Sequence, residues 1–470
     1  MGHTVTVIVD GCKIREIALD LGHAGWDQRL LEGLQEIGQE VATVVLQRED
    51  EALRRQVPAE WQNLGRERRQ LETLAGKVTI SRRVYRDEQG VRHKPLDAAL
   101  GLAAYRRGTP SLERMAAYLA SGTSYRRAAE QLGWMVGRRV NPTRIQRSVW
   151  AVGQALVAHE QAERAAVFER GEVPPEGQLE AKILFAEADG VWISLQREKR
   201  RSAEVRVGIL YTGKQPLGKG RWQLADKTCV TALVKDSQEW QELMLLAAFG
   251  HYHLSGTERA VLNGDGAEWV RHSLDRLELP VLFQLDRFHI FRAARQAGPA
   301  LPALARLACR EGLPAVEPQL RQLIRQARPE EQPKLLDFYD YLRHNADALI
   351  DYRLRLNLPL PPQAGLGAIE GNVDKLVVQR LKGRGMSWRL AGAKAMLALC
   401  RHRPALRSQT LTPRSAPPLA QTNRPLDCQR PSDDDRWLQA SVPLLHSSDE
   451  NSPLGRELRG IVNGQPGLAR

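Results

Sequence analysis

A carboxylate at the end of a short apolar run is the first candidate for chemistry. The apolar run 260–262 stops at Asn-Gly-Asp-Gly (263–266), and a helix-like stretch follows from Ala267. In α/β proteins, ligands bind beyond the carboxyl ends of parallel strands, so Asp265 stands where a catalytic group is expected. The flanking glycines allow a sharp turn and close approach of a substrate. The same residues also suit an ordinary strand–turn–helix joint, because Asn-Gly and Asp-Gly are common turn dipeptides.

Two further acids extend this pattern. Asp189 lies inside a strand-like apolar run, and Glu370 opens a helix-like stretch. Nucleases of the ribonuclease-H type use a few acids to hold two metal ions, which bind the attacking and leaving oxygens of a displacement at phosphorus. Mg²⁺ prefers oxygen ligands and keeps waters, so two or three carboxylates suffice. Asp189, Asp265 and Glu370 are therefore candidate ligands for such ions.

Neighbouring acids are alternatives to these three. Glu187 shares a side with Asp189, because successive residues of a strand alternate between its faces. Glu268 lies close to the Asp265 turn, and Asp374 is one helical turn beyond Glu370 on the same face. Without a metal, Glu370 would be a first-turn glutamate favoured by the helix dipole.

The residues 180–405 predict the α/β domain that would position these acids. We expect strands at 183–196, 205–211, 228–234, 259–263 and 281–285. Helices are expected at 237–252, at 267–277 and from Asp286. Three hairpin-linked strands followed by alternating helices and strands imply a mixed sheet covered by helices on both faces. This order is the one found in ribonuclease-H-like nucleases, and an all-helical insertion is expected at about 292–365.

The region 1–97 predicts a strand-like run, a long helix and a β-hairpin. The helix is expected from Trp26 to about Arg55, because leucine, isoleucine and valine recur at three- and four-residue spacing. Residues 76–86 alternate in polarity and precede a turn at 87–90, which predicts the hairpin. Its outward face would be rich in arginine, either solvated or in contact with DNA.

The region 98–170 predicts three helices. Asn141 is placed as the N-cap of the third helix, with Pro142 at its first position. A basic trihelical unit is typical of helix-turn-helix modules, which lay one helix in the major groove. Arg126, Arg127 and Arg144 are the candidate DNA contacts. A small helical bundle without a DNA partner is the alternative.

Charge also favours a nucleic-acid partner. The 470 residues carry a net charge of +13, which favours binding to a polyanion. After Glu370 the chain is basic, and Arg380, Lys382 and Arg384 are candidates for following a phosphate backbone. We see no apolar run long enough to span a bilayer, so no membrane partner is expected. Pro and Ser dominate 406–470, which predicts a mostly disordered tail.

Taken together, four stretches resemble the bacterial ISLre2-type insertion-sequence transposases, which are similar to DDE transposases of the Mutator kind. The order of the stretches is specific, although no single motif is. They are 187–196 around Asp189, 264–270 around Asp265, 285–290 with Asp286 and His289, and 370–373 followed by 386–388. The resemblance covers roughly 70–405.

This resemblance implies that Asp189, Asp265 and Glu370 bind metal, either Mg²⁺ or Mn²⁺ and two ions in all. It also implies that Asp286 and His289 form an auxiliary Asp-x-x-His signature, in which His289 contacts the scissile phosphate or orients a ligand. Local capping of a helix by Asp286 is the alternative.

The implied activity is cleavage of DNA at the ends of an insertion element, followed by transfer of the freed strand to target DNA. We expect a cytoplasmic protein that acts on the bacterial nucleoid as a homodimer or larger. A domesticated transposase that only binds DNA and a ribonuclease-H-like nuclease without strand transfer are the alternatives.

Overall fold

The computed structural model describes residues 2–9, 12–20, 25–357, 365–383 and 385–408. The predicted tail therefore lies outside the described residues, except for 406–408, and so does Arg384. Along the described chain, no helix is both long enough and apolar enough to cross a membrane.

The amino-terminal elements are two hairpins, a long helix and a short one. In chain order they are β1 (Gly2–Val9), β2 (Cys12–Asp20), α1 (Trp26–Arg54), β3 (Gln62–Thr73), β4 (Gly76–Arg86), β5 (Arg92–His93) and α2 (Pro95–Ala99). The bounds of α1 confirm the predicted helix. The turn at 87–90 joins β4 to β5 as predicted, but only two residues pair there; β4 pairs along most of its length with β3, which precedes it and was not predicted. The polar sequence of β3 carries no alternation, so only pairing with β4 defines it as a strand.

Two of the three arginines of β4 do not lie on a free outward face, and only Arg86 is exposed. Arg83 is buried, and its Nη1 atom lies 2.7 Å from Oδ2 of Asp50 on α1. Arg82 is buried as well. Because a buried guanidinium needs a partner, these arginines join the hairpin to its neighbours rather than presenting charge to solvent.

Three helices follow, as predicted. They are α3 (Pro110–Gly122), α4 (Tyr125–Met135) and α5 (Pro142–Phe168). Asn141 caps α5, because its side-chain oxygen accepts a hydrogen bond of 2.9 Å from the Thr143 backbone N–H. In the last third of α5, Glu160 pairs with Arg401 and His402 near the end of the described chain.

A mixed five-stranded sheet forms the centre of the α/β part and confirms the predicted class. Its elements are β6 (Ile183–Ser194), β7 (Ser202–Tyr211), β8 (Gly213–Gly218), β9 (Arg221–Ala225), β10 (Thr228–Ala232), α6 (Ser237–His251), β11 (Arg259–Gly264), α7 (Glu268–Arg271), β12 (Val281–Leu285) and α8 (Arg287–Ala297). The strand order is β10-β7-β6-β11-β12. Within this sheet β7 lies antiparallel between β6 and β10, whereas β11 lies parallel to both β6 and β12.

Two details differ from expectation. The hairpin β8–β9 was not predicted, because its glycines, lysines and proline give no strand-like alternation. The helix predicted at 267–277 ends at Arg271 and continues as turns. These turns still bury Leu274 and Leu277, so the apolar spacing reflected burial rather than helix length.

The predicted insertion is helical, and further helices complete the described chain. They are α9 (Leu301–Glu311), α10 (Glu317–Gln326), α11 (Gln332–His344), α12 (Tyr352–Arg355), α13 (Ile369–Val373), α14 (Leu390–Arg401) and α15 (Arg403–Ser408). Between α13 and α14 lies a π-helix, Asp374–Lys382. Helices of this type are rare and are frequently found at functional sites.

Each face of the sheet has its own hydrophobic core. One core joins Val191, Val207 and Val261 of the sheet to residues of α3, α4, α5, the π-helix and α14. The other core joins Ala188 and Leu262 to α6, α8 and the helical insertion. The helices predicted as a separate DNA-binding domain, 98–170, therefore share a core with the sheet.

Candidate metal centre

The parallel strands bring three sequence motifs to one edge of the sheet. Asn263 of β11 pairs with Glu187 of β6, so Asp265 and Asp189 lie two residues further along neighbouring strands. β12 follows on the other side of β11, and the Asp286 backbone N–H donates to the Gly264 carbonyl at 2.7 Å. The strand ends thus converge where ligands of α/β sheets bind.

Asp189, His289 and Glu370 form the tightest group at this edge. Each offers a potential ligand atom, and these atoms all lie within 4.8 Å of one another. The Nε2 atom of His289 is 3.6 Å from Oε1 of Glu370. Asp189 lies on β6, His289 on α8 and Glu370 on α13, which follows the helical insertion. These elements are far apart along the chain, so only the fold could bring the three residues together.

Asp265 lies beside this group rather than in it. Its Oδ1 atom accepts a hydrogen bond of 2.9 Å from the Ala267 backbone N–H, which fixes the carboxylate at the turn. Its charge contributes to raising the pKa of Asp189 and of His289. The predicted triad of Asp189, Asp265 and Glu370 is therefore gathered at one edge, but His289 is closer to two of its members than the sequence pattern indicated.

The surroundings of Asp189 raise its pKa. The carboxyl is buried, with 8 % of its surface exposed. Burial raises its pKa to about 6, and the charges of Glu370 and Asp265 act in the same direction. A hydrogen bond from the Gly190 N–H and the charge of His289 oppose the rise. A carboxylate crowded by other carboxylates in a buried position is an arrangement that a bound cation would relieve.

Asp286 holds His289 in place. Its Oδ2 atom lies 2.9 Å from Nδ1 of His289 and also accepts from the His289 backbone N–H at 3.3 Å, which caps α8. Its Oδ1 atom accepts from Asn263 at 3.1 Å. Burial alone would raise the pKa of Asp286, but the bonds from His289 and Asn263 outweigh it and the pKa is lowered. The same bond raises the pKa of His289. A carboxylate on one imidazole nitrogen fixes the ring so that the other nitrogen faces the site.

Glu187, the alternative ligand from the same strand face, has a different role. It is fully buried, and its Oε1 atom accepts from the Tyr211 hydroxyl at 2.7 Å. Its Oε2 atom accepts from the backbone N–H groups of Gly367 and Ile369 at 3.0 and 3.1 Å. Burial raises the pKa of Glu187 despite these bonds. Glu187 therefore fixes the backbone that leads into Glu370.

The remaining spare acids are not part of the group. Glu268 is exposed and lies 3.0 Å from the imidazole of His272. Asp374 is exposed and accepts a hydrogen bond of 2.7 Å from Gln379. Neither belongs to a cluster of potential metal ligands within the described ranges.

Two contacts at this edge had no signal in the sequence. The hydroxyl of Tyr341, on α11, donates to the Asp265 backbone carbonyl at 3.0 Å. Asn345 also lies close, since a Cβ atom on Gly266 would come within 2.6 Å of its Oδ1 atom. The helical insertion thus packs directly on the turn that carries Asp265, which a distance of 76 residues along the chain concealed.

The predicted DNA contacts divide into exposed and internal residues. Arg126 and Arg127 are exposed on the first turn of α4, and Lys382 is exposed at the end of the π-helix. Arg144 is internal: it donates to Glu72 at 3.1 Å and to Glu113 at 2.8 Å. Its proposed role as a DNA contact is corrected, because these bonds tie the β3–β4 hairpin to the helices.

The prediction that Arg380 contacts DNA is also wrong. Only 6 % of its surface is exposed, and its Nε atom donates to the Ala120 carbonyl at 2.6 Å. Its guanidinium lies 5.1 Å from the ring centres of both Tyr125 and Trp388. Burial lowers its pKa. The residue therefore joins the π-helix to α3 and α4 and is not available to a phosphate backbone.

The donor set fits a hard divalent cation better than a softer one. Carboxylate oxygens suit Mg²⁺ and Mn²⁺, whereas a set rich in imidazole or thiolate would suit zinc or copper. Asp189 and Glu370 provide carboxylates that face each other, with Asp265 next to them and one imidazole nitrogen alongside.

Comparison with known proteins places the whole centre inside one matched region. A model of the uncharacterised protein family UPF0236 matches residues 23–405. The chain is also similar to a protein of Streptococcus gallolyticus described as "UPF0236 protein in vanSb 3'region". The two are 27 % identical over 355 residues, which cover 71 % of this chain and 72 % of the relative.

Proposed function

This chain belongs to the UPF0236 family, and we propose that it is a DDE-type transposase that cleaves DNA at the ends of an insertion element and joins the freed strand to target DNA. The observation that carries the proposal is the meeting of Asp189, His289 and Glu370 beside Asp265 at one sheet edge. A phosphoryl-transfer site needs little more than well-placed charge, and this edge provides it.

The strand order supports the same proposal. Three antiparallel strands followed by two parallel ones, in the order β10-β7-β6-β11-β12, are the arrangement that the proposed ribonuclease-H-like domain would require. In that arrangement the first and fourth strands lie side by side. Asp189 on β6 and Asp265 after β11 are therefore neighbours for a topological reason.

The residues that would hold divalent cations are Asp189, Asp265 and Glu370. When bound, two Mg²⁺ or Mn²⁺ ions supply charge neutralisation at the scissile phosphate and activation of the attacking oxygen. Asp189 and Asp265 offer oxygens from adjacent strands, and Glu370 offers one from the first turn of α13.

His289 and the residues around it position these groups. The imidazole is held through Asp286 and turns Nε2 toward Glu370, where it can also donate to a phosphate oxygen. Glu187 fixes the backbone that leads into Glu370 through two backbone hydrogen bonds.

The exposed Arg126, Arg127 and Lys382 are the proposed DNA contacts. Because two element ends must be held at once, we propose that the active form is at least a dimer.

The test is cleavage of a plasmid that carries the repeats flanking the gene, with Mg²⁺, by the wild type and by Asp265→Asn. We expect the variant to lose about 10²–10³-fold in rate, because removal of one preorganised electrostatic group has effects of this size, while it still binds the repeats. Glu268→Gln is the matched control: it removes an exposed acid from the same turn and should cut like the wild type.

The products separate the related functions. Cleavage followed by joining of the 3′ end to a second DNA supports the transposase, whereas cleavage without joining indicates a nuclease. Binding without cleavage by the wild type indicates a DNA-binding relic. Equal cleavage by wild type and Asp265→Asn would contradict the assignment of the acids.

A further inference from the structure

The hairpin between β6 and β7 carries a concentrated positive charge. This charge is separate from the acidic centre, which is the site formed by Asp189, Asp265 and Glu370. Four of the five residues 197–201 are cationic, and all are exposed. No ion pair or side-chain hydrogen bond is formed by these four within the part of the chain that the structure describes. The cations are Arg197, Lys199, Arg200 and Arg201. We define residues 197–201 as the hairpin tip.

The one acid in the hairpin tip is turned toward the protein. The Glu198 carboxylate accepts a hydrogen bond of 2.9 Å from the backbone N–H of Leu390, which begins α14. The carboxylate therefore anchors the tip and leaves the four cations as the charge that faces solvent. An uncompensated group of this density attracts a polyanion and costs free energy through self-repulsion when nothing is bound.

The base of the hairpin tip is hydrogen-bonded to the segment that follows the π-helix. The Leu195 N–H donates to the Arg201 carbonyl at 2.8 Å, which closes the hairpin. The Gln196 N–H donates to the Trp388 carbonyl at 2.9 Å, and the Trp388 N–H donates to the Ser194 carbonyl at 3.0 Å. The strand that carries Asp189 is thus tied to the segment that follows the π-helix, where Arg389 adds a further exposed cation.

We propose that the hairpin tip is a second DNA-backbone contact, which holds duplex DNA at a set distance from the cleavage site. This proposal rests on the proposed function, because it takes DNA as the substrate of the acidic centre. Arg197 lies eight residues beyond Asp189 along largely extended chain, or about 26 Å at about 3.3 Å per residue. With about 3.4 Å per base pair, the tip would meet phosphates about seven or eight base pairs from the scissile phosphate.

The test is DNA binding in EDTA, so that cleavage plays no part. The wild type is compared with the double variant Lys199→Ala/Arg200→Ala on duplexes that extend 4 or about 12 base pairs beyond the cleavage boundary. On the long duplex we expect the variant to bind about tenfold more weakly at moderate salt. The slope of log K against log salt should fall by about 1.8, or about 0.9 for each lost phosphate contact. On the short duplex the two proteins should bind alike.

The control is Arg306→Ala/Arg325→Ala, which removes two exposed cations from α9 and α10 in the insertion. It should leave affinity and slope at wild-type values on both duplexes. Equal weakening by both double variants, or a tip effect that does not depend on duplex length, would overturn the inference. This result is separate from the proposed function, which fails on Asp265→Asn cleavage whatever the tip variant does.

Discussion

The buried carboxylate of Asp189 should lower the stability of the metal-free protein, and Asp189→Asn tests this directly. Asn keeps the shape of the side chain and an oxygen that can accept from the Gly190 N–H, which donates to Asp189 at 2.7 Å. It removes the buried charge and its repulsion by Glu370 and Asp265. We therefore expect the variant to be more stable than the wild type when no metal is present.

The pKa of Asp189 gives the size of the expected difference in the free energy of unfolding. The pKa of Asp189 rises from 3.8 to about 6 on folding, and each unit corresponds to about 1.4 kcal/mol. A raised carboxyl pKa lowers stability as pH increases from the unfolded to the folded value. Above about pH 6 the folded state of the wild type therefore carries a penalty of about 3 kcal/mol. At about 2 cal/mol/K of unfolding entropy per residue, relief of 2–3 kcal/mol raises the melting temperature of a unit of about 400 residues by about 3 °C.

Metal should cancel most of the stability difference between Asp189→Asn and the wild type, because metal stabilises the wild type by about as much as its buried charge destabilises it. A cation that binds only the folded state at about 100 times its Kd stabilises by about 2.7 kcal/mol. The wild type should gain this amount with Mn²⁺, whereas Asp189→Asn should gain much less because it has lost a ligand. The assay is thermal unfolding at pH 8 in EDTA and in Mn²⁺. Glu268→Gln serves as the control and should follow the wild type in both.

Two results would refute this reasoning. A melting temperature of Asp189→Asn below that of the wild type in EDTA would show that the carboxylate is not under strain. An equal rise with Mn²⁺ in both proteins would show that Asp189 is not a ligand.

Three further variants test the supports of the site. Glu187→Ala should destabilise by about 3–5 kcal/mol in an unfolding titration, because several buried donors lose their acceptor; a loss below 1 kcal/mol would contradict its supporting role. Burial opposes a low pKa at Glu160, but its bonds to His402 and Arg401 lower it. Glu160→Gln should therefore cost about 1–2 kcal/mol at pH 7, and the difference from wild type should shrink as pH falls below the ordinary glutamate pKa of 4.5; a pH-independent difference would exclude the ion pair as its cause. Gly264→Ala should lower expression and melting temperature, because the new Cβ would lie 2.2 Å from a methyl of Val270 and 3.0 Å from the backbone carbonyl of Ala188.

Much of the site was predictable from local patterns. Apolar runs identified the five sheet strands, because a buried strand needs them regardless of its neighbours. The glycines around Asp265 marked a turn at a strand end, and Asp286 could be placed as an N-cap. The acids Asp189, Asp265 and Glu370 were candidates because Asp189 lies within a predicted strand, Asp265 follows the end of another and Glu370 opens a predicted helix.

Long-range pairing decided what each polar side chain does, and the sequence could not supply it. Glu187 and Asp189 are equivalent by alternation, yet one is enclosed by backbone donors from 367–369 and the other faces Glu370. Arg380 looked like a free cation and is buried against residues some 260 positions earlier in the chain.

The sequence by itself determined the elements, because burial and turn formation depend on residues close together along the chain. Only the tertiary structure decided that His289 joins the acids and that Arg144 is internal. It also decided that the helices of 98–170 share a core with the sheet. The physical reason is that desolvation and hydrogen bonding depend on which groups meet in space, and strand register fixes those meetings across tens to hundreds of residues.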